Sequence, residues 1–305
     1  MKKMKLKSFK SARSLFFYIA IIALPVLQFC IFYIAVNINS FILAFRNIIF
    51  DGEMKKYVYS WTLDNFRNWF ADKNEYLQLT QTLVVSIKSY VISLVVGVPL
   101  GLLFAYYIFK KLPGAMFFRF MLFMPSIIAS IVLVSIYKYF VNDVVNDLLA
   151  DVHIQIKLFD DKRYATVMFY NLFVSFGTTV LLYSNKMANI SPEITEAAQL
   201  DGASSAREFF SIVLPQTFST LSIFLVTGVA GIFINEINNF SFFSTNWKSD
   251  TATLGFLMYF RTQRAKGDVS QYPPLAALGL MMSAVAIPLT FLVRWLLKKA
   301  GPSED

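Results

Sequence analysis

The chain of 305 residues is 56% apolar and only 15% charged, with a mean hydropathy of +0.55. Ordinary soluble domains carry about 25% charged residues, so this composition excludes that class and predicts an integral membrane protein. A net charge of +9 favours nucleic-acid binding in a soluble protein, but here the basic residues are dispersed along an apolar chain, and we predict no nucleic-acid partner. A single cysteine, Cys30, excludes an internal disulfide, and with one histidine it predicts no metal site.

Apolar runs long enough to cross a bilayer as a helix, about 20 residues each, occur six times along the chain. The predicted transmembrane helices are Ser14–Val36, Thr82–Phe109, Ala115–Phe140, Ala165–Met187, Phe218–Phe240 and Tyr272–Leu297. Cys30 lies in the first of them and is expected to be a buried thiol. The predicted fold class is therefore an all-α integral membrane protein with about six transmembrane helices.

Charges beside the first helix predict the orientation of the chain. Six basic residues and no acidic residue precede it, and such a cluster is retained in the cytosol. Residues 1–13 and 298–305 are therefore expected to be cytosolic tails. The first helix, 14–36, then leads to an extracellular segment, 37–81, which is followed by the main transmembrane domain, 82–297.

The extracellular segment contains an aromatic stretch, Asp51–Glu75. Its aromatic residues include Tyr57, Tyr59, Trp61, Phe66 and Trp69. This mixture suits an interfacial helix or a compact cap, and it equally suits an aromatic belt at the membrane surface.

A helix-turn-helix is predicted between the fourth and fifth transmembrane helices. Ser191 can cap its first helix, and Pro192 fits the first helical position, where no amide hydrogen is needed. Gly202 ends that helix because glycine adopts the left-handed conformation without penalty. Ala203–Leu214 has helical composition, and Pro215 is expected to break it. From composition alone, an amphipathic helix lying on the membrane remains an alternative.

This segment, residues 191–215, resembles the cytosolic loop by which permeases of ABC importers contact their ATPases, and we call it the docking loop. The residues that carry the resemblance are Glu196, Ala197, Ala198, Asp201, Gly202, Ala203, Ile212, Leu214 and Pro215. The triplet Asp201-Gly202-Ala203 resembles the sugar-permease branch of the family.

The resemblance covers most of the chain. Further matching motifs are Thr82-Leu83-x-x-Ser86, Gly97-x-Pro99-Leu100, Pro125-Ser126-Ile127 and Thr251-x-Thr253-Leu254. One extra helix before the main domain is similar to the F-type subunit of maltose permeases. The resemblance implies that residues 82–297 form the conserved permease domain of the family, with the docking loop inside it.

Further expectations follow from the resemblance. It implies a multi-pass protein of a bacterial plasma membrane, with both termini cytosolic, that imports a sugar. Its partners would be a second, G-type permease subunit, two ATPase subunits, an extracellular solute-binding protein and membrane lipid. The sequence contains no Gly-x4-Gly-Lys-Ser/Thr phosphate loop, so we expect a non-catalytic chain without a bound cofactor, with ATP and magnesium on the ATPase subunits.

The resemblance also implies roles within the docking loop. Glu196 would make a polar contact with the ATPase, and Gly202 would supply the turn. Ala197, Ala198 and Ala203 would be positions of close packing. The last three matched positions would join the loop to the fifth transmembrane helix.

Candidates for the solute path lie in the predicted fifth helix. Asn235 and Asn239 would share one helical face, with Glu236 about 100° away. Polar groups at membrane depth usually face a cavity or the bundle interior, so these residues are expected either to recognise sugar hydroxyls or to bridge neighbouring helices.

Other functions remain open at this point. An ABC permease for a non-sugar solute has the same docking loop. A secondary transporter is less favoured because six helices are few for one and the docking loop would be unexplained. A membrane enzyme would need a convergent polar cluster, and the sequence has no paired carboxylates deep in a predicted helix.

Overall fold

A computed structural model describes residues 12–52, 56–150 and 157–302. Most of the basic tail 1–13 and the end of the predicted C-terminal tail lie outside these residues. The helices are α1 (Ala12–Gln28), α2 (Val36–Ala44), α3 (Asp64–Ala71), α4 (Lys73–Ile92), α5 (Val98–Phe109), α6 (Ala115–Ile127), α7 (Ser130–Tyr139), α8 (Val145–Ala150), α9 (Leu158–Asp161), α10 (Arg163–Met187), α11 (Pro192–Leu200), α12 (Ser205–Glu208), α13 (Leu214–Gly231), α14 (Asn239–Phe243), α15 (Leu254–Arg264) and α16 (Tyr272–Ala300). The strands are β1 (Arg46–Asp51) and β2 (Lys56–Trp61), and π-helical turns occupy Phe29–Ala35, Ser93–Gly97, Phe140–Val144 and Phe209–Val213.

The helical membrane class predicted from the sequence is confirmed. Within the described ranges, five continuous helices are long and apolar enough to cross a membrane. They are Phe16–Ala44, Lys73–Phe109, Arg163–Met187, Ser205–Gly231 and Val269–Ala300. A sixth candidate is a helix pair, Ala115–Ile127 with Ser130–Leu148, bent by 108°.

The third predicted helix, Ala115–Phe140, is therefore wrong as one straight element. Pro125 lies inside α6 and lacks the amide hydrogen that would bond the preceding turn. Three residues later Ile128 is extended, with ψ of 136°, and the chain turns before α7 begins.

The predicted bounds of the fifth helix, Phe218–Phe240, are also wrong. The helix starts at Ser205 and ends at Gly231. Glycine and asparagine disfavour helix interiors, and the Asn235 side chain accepts a hydrogen bond from the Ile237 backbone amide at 2.9 Å. That local bond competes with the helical pattern.

The chain divides into two units, the first of which comprises residues 1–68 and 265–281. It contains the first membrane-length helix and a β1–β2 hairpin, which runs from the pair Arg46–Trp61 to Asp51–Lys56. The aromatic stretch, for which an interfacial helix or cap and an aromatic belt were equally favoured, contains strand β2, exposed along its whole length, and then α3. Asn65 in α3 donates hydrogen bonds to the carbonyl oxygens of Ala44 and Arg46 at 3.0 and 2.8 Å, which ties the hairpin to the end of α2.

Cys30 is exposed, so its predicted burial is wrong. No residue in the most apolar part of the Phe16–Ala44 helix is buried. An apolar side chain in a membrane helix needs no protein core around it, because lipid is an equally apolar neighbour.

The second unit, residues 69–264 and 282–305, holds the docking loop, the next three membrane-length helices, the bent helix pair and the second part of the last membrane-length helix. Small residues bring its helices together: a Cβ added at Gly101 in α5 would lie 2.8 Å from Thr179 in α10. Its apolar core joins α5, α10 and the start of the Ser205–Gly231 helix. The buried residues of this core are Leu102, Ala105, Ile108, Ala115, Val180, Tyr183, Met187, Ile190, Phe209 and Val213.

Gly177 is expected to tolerate no side chain. A Cβ at this position of α10 would lie 2.0 Å from the backbone oxygen of Leu122 in α6, so Gly177→Ala must push two helices apart and should lower the unfolding free energy by about 1–3 kcal/mol. Denaturation of the purified chain in detergent measures this. Gly231→Ala is the matched control, since its Cβ meets nothing within 4 Å and should change stability by less than about 1 kcal/mol. Equal effects of the two substitutions would contradict the close approach.

Candidate functional site

The first helix of the docking loop, α11, has its proline where predicted but lacks the predicted serine cap. Pro192 occupies its first turn, where the missing amide hydrogen costs nothing. Ser191 is the N-cap residue by position, but its side chain makes no capping hydrogen bond. The predicted serine cap is therefore wrong at this helix.

Gly202 supplies the turn between the two helices of the docking loop, as predicted. Its φ is +75°, in the left-handed region. The Ala203 amide donates to the Ala198 carbonyl at 2.9 Å, and the Gly202 amide donates to the Gln199 carbonyl at 3.0 Å. This pair of bonds is a Schellman motif, which satisfies carbonyl groups that the helix end leaves free.

The two sides of α11 differ in exposure. Thr195 and Ala198 are buried against the rest of the chain, so Ala198 packs inside this subunit. Ile194 and Leu200 are 44% and 89% exposed, and Ala197 between them is also exposed. The exposed side thus offers apolar contacts.

Other matched positions are exposed in the same stretch. Glu196, Asp201 and Gly202 are exposed, while Ala203 is half-buried. A protein surface that combines exposed apolar residues with polar ones is typical of an interaction site.

The second half of the docking loop continues directly into a membrane-length helix. Ser204 caps α12, its hydroxyl accepting from the Arg207 amide at 3.3 Å. The helix then runs through the π-helical turn Phe209–Val213 into α13 without interruption. Ile212, Leu214 and Pro215 are half-buried along this stretch.

The predicted break at Pro215 is therefore wrong. Proline removes one amide donor, and its ring conflicts with the carbonyl four residues earlier in a regular α-helix. The wider π-helical turn lies immediately before α13, and such turns let a helix absorb a local departure from the α-helical pattern. The second half of the docking loop, from Ser205, and the helix that carries Thr227 and Gly231 are one continuous rod.

A buried ion pair fixes this rod at its docking end. The Lys110 Nζ lies 2.9 and 3.0 Å from the two carboxylate oxygens of Glu208, whose side chain is only 2% exposed. Tyr106 adds a hydrogen bond from its hydroxyl to the Ser205 carbonyl at 3.2 Å and a ring contact with Phe209. Glu208 was not predicted from the sequence, because it follows Arg207 in a segment whose composition is that of a solvated helix.

A cavity of about 580 Å³ lies among α4, α10 and α13. Its polar lining consists of hydroxyl and amide side chains, and none of the described residues around it carries a formal charge. The polar lining residues are Ser86, Ser89, Tyr90, Ser93, Asn171, Ser175, Thr179, Thr227, Asn235 and Thr253. Such a lining can exchange hydrogen bonds with a polar, uncharged solute.

Asn235 and Asn239 do not share a helical face as predicted, because the helix ends at Gly231, before either of them. Asn235 lines the cavity. Glu236 is half-buried, and burial raises the pKa of its carboxyl group. Asn239 is fully buried and donates to the carbonyls of Glu236 and Thr251 at 2.7 and 2.8 Å, so it serves the backbone rather than the cavity wall.

Sequence comparison identifies relatives that share this architecture. The profile of the family described as "Binding-protein-dependent transport system inner membrane component" matches residues 97–301. "Probable ABC transporter permease protein YurN" of Bacillus subtilis (strain 168) is 30% identical over 220 residues, which is 68% of this chain and 73% of that protein. "Probable ABC transporter permease protein YesP" of the same organism is 33% identical over 163 residues, half of each chain.

A third relative has a more specific name. "Multiple sugar-binding transport system permease protein MsmF" of Streptococcus mutans serotype c is 25% identical over 204 residues, covering 65% of this chain and 68% of that protein.

Solved structures share the fold. A chain from the crystal structure of "a bacterial ABC transporter involved in the import of the acidic polysaccharide alginate" superimposes with a TM-score of 0.76 at 17% identity, covering 94% of this chain and 96% of that one. A chain from the same kind of transporter "in complex with alginate pentasaccharide-bound periplasmic protein" gives a TM-score of 0.76, again at 17% identity, over 95% and 96%.

Proposed function

The chain belongs to the family of binding-protein-dependent transport system inner membrane components and is a permease subunit of an ABC importer, and from this premise we propose that its cargo is a neutral sugar or oligosaccharide. The chain is a non-catalytic membrane component. In this proposal the docking loop transmits ATPase movement to the membrane helices.

The cavity carries the proposal for the cargo. Sugar hydroxyls both donate and accept hydrogen bonds, and the serine, threonine and asparagine side chains around the cavity do the same. A charged solute would leave water without an opposite charge to meet it, which costs far more than burying a hydrogen-bonded hydroxyl. The volume of the cavity, about 580 Å³, lies within the range of small-molecule sites.

The names of one relative and of a structural neighbour support a saccharide as the cargo, without distinguishing neutral from acidic sugars. MsmF is named for multiple sugar-binding transport, and the alginate transporter imports an acidic polysaccharide. The uncharged lining of the present cavity favours a neutral saccharide over an acidic one.

We further propose the partners of this chain. A second permease subunit of the G type completes the pathway, two ATPase subunits bind ATP and magnesium, and an extracellular binding protein delivers the sugar. The exposed side of α11 meets one ATPase subunit. Since the ATPases are cytosolic, the docking loop is cytosolic in this proposal. Both chain termini are then on the same side if the bent pair is counted as one span, because four spans precede the docking loop and two follow it.

The rod from Ser205 to Gly231 suggests how movement is transmitted. It is 27 residues long, or about 40 Å at 1.5 Å per residue. One end carries the docking turn, and Thr227 and Gly231 near the other end line the cavity. A tilt imposed at the docking end therefore moves the cavity wall.

Uptake measurements in the source bacterium, with and without this chain, test the proposed cargo. Deletion of its gene, with complementation by the unaltered gene as control, should abolish uptake of one labelled neutral saccharide and leave uptake of amino acids and of uronate oligosaccharides unchanged. Competition by unlabelled sugars then orders the saccharides by affinity. Loss of amino-acid or uronate uptake, with neutral sugars unaffected, would show that the cargo proposal is wrong while leaving the permease family intact.

A further inference from the structure

The turn that follows α13 is strained. Ile237 and Asn238 have φ values of 46° and 57°. Residues other than glycine rarely adopt this left-handed region, and β-branched residues such as isoleucine adopt it least of all. Such strain persists only where the surroundings hold it, and it clusters at functional sites. The residues of this turn that line the cavity are Ile232, Ile234, Asn235 and Ile237.

Asn171 of α10 holds the turn through both ends of its side-chain amide. Its Nδ2 donates to the Ile237 carbonyl at 2.8 Å, and its Oδ1 accepts from the Asn238 Nδ2 at 2.7 Å. Ser130, the first residue of α7 after the 108° bend, donates from its hydroxyl to the Asn238 Oδ1 at 2.8 Å. Two helix interruptions, at residues 128–129 and 232–238, are thereby joined by one hydrogen-bonded chain.

The other side of the turn is blocked by α15. A Cβ added at Gly255 would lie 2.2 Å from the Ile234 carbonyl oxygen, so the two backbones are in direct contact. The turn cannot shift toward α15, and movement away from α10 has to break the bonds to Asn171.

The position of the turn relative to the docking loop gives this restraint a role. Along α13 the cavity extends from Phe224 to Gly231 and then to the turn, which is the end farthest from the docking loop. A group that holds or releases the turn controls that end of the cavity.

We propose that Asn171 is a positioning residue of the solute path: it holds the strained turn 232–238 over the end of the cavity remote from the docking loop and so limits access to the cavity from that side. This inference rests on the proposed function only in taking the cavity as the solute path. A weakened hold would expose the cavity from that side more often.

Cysteine labelling in membranes tests this without solute or ATPase activity. The background is the full chain with Cys30→Ser, its single cysteine removed, and Thr227→Cys as the reporter in the cavity wall. A membrane-impermeant maleimide is added from the side opposite the docking loop. Asn171→Leu should raise the labelling rate roughly tenfold, as expected for the loss of one or two hydrogen bonds. Asn171→Asp, which keeps the shape and loses the donor to Ile237, should raise it in the same direction.

Asn185→Leu is the matched control, because Asn185 lies on the same helix and bonds only Arg119 among the described residues. Its labelling rate should equal that of the background. A rate within twofold of the background for both Asn171 variants, at normal amounts in the membrane, would overturn the proposal. An equal rise for maleimide added from the docking-loop side would overturn it too, since that indicates general loosening. A wrong cargo class leaves all of these results unchanged.

Discussion

Gly202→Asp is expected to abolish uptake while leaving the chain in the membrane in normal amounts. Within the chain the substitution strains the backbone at a φ of +75°, but aspartate is among the residues that tolerate the left-handed conformation best, and a Cβ at this position meets nothing within 4 Å. The cost arises at the proposed ATPase contact, where a third carboxylate would join those of Glu196 and Asp201 beside exposed apolar residues. An interface substitution of this kind costs about 2 kcal/mol or more, which lowers binding roughly thirtyfold.

Uptake of labelled cargo and the amount of chain in purified membranes are the two measurements. Gly202→Asn separates charge from bulk, since it has the same shape and no charge, and should retain more uptake than Gly202→Asp. Gly267→Asp is the matched control away from the docking loop, because Gly267 also has a positive φ, +95°, and equally open surroundings. Normal uptake by the Gly202→Asp variant would refute the assigned role of the docking loop.

The second large effect concerns the ion pair between Lys110 and Glu208, whose two partners should respond unequally to removal. Lys110→Ala leaves the Glu208 carboxylate, 2% exposed, without its partner, and an unpaired buried charge costs about 3–5 kcal/mol. Glu208→Gln instead leaves the Lys110 ammonium, which is 22% exposed and can turn to water. That variant should cost about 1 kcal/mol.

The double variant is the sharper test of this explanation. Lys110→Ala combined with Glu208→Gln should be more stable than Lys110→Ala alone, because no unpaired charge remains. Denaturation in detergent measures all three, and uptake should follow the same order if the pair anchors the rod. A double variant no more stable than the lysine variant would show that Lys110 acts through its packing rather than its charge.

A second ion pair provides the control. Arg163 and Asp250 are also 2.9 Å apart, and the arginine is 21% exposed, but the aspartate is 44% exposed. Since Asp250 keeps its water when its partner is removed, Arg163→Ala should cost less than about 1 kcal/mol. A loss as large as that of Lys110→Ala would contradict the argument from burial.

Several features of this protein were accessible from local sequence. The turn at Gly202 was predicted because only a residue free of a Cβ adopts its conformation without cost, and the position of Pro192 followed from its missing amide hydrogen. The errors are local as well: Pro215 was expected to end a helix that a π-helical turn carries past it, and the helix expected to reach Phe240 ends at Gly231. In each case hydropathy and residue type are compatible with more than one backbone path.

The sequence by itself determined the membrane class, the approximate helices and the docking turn, since hydropathy and backbone preference act over a few residues to about 20. Only the tertiary structure decided which residues meet. Glu208 is 98 positions from Lys110, and Asn171 is 66 from Ile237. The cavity likewise draws its polar groups from α4, α10 and α13, from a π-helical turn, from the turn 232–238 and from Thr253 before α15. Those pairings depend on which helix faces pack together, and in an almost uniformly apolar chain the faces that meet protein and the faces that meet lipid have the same composition.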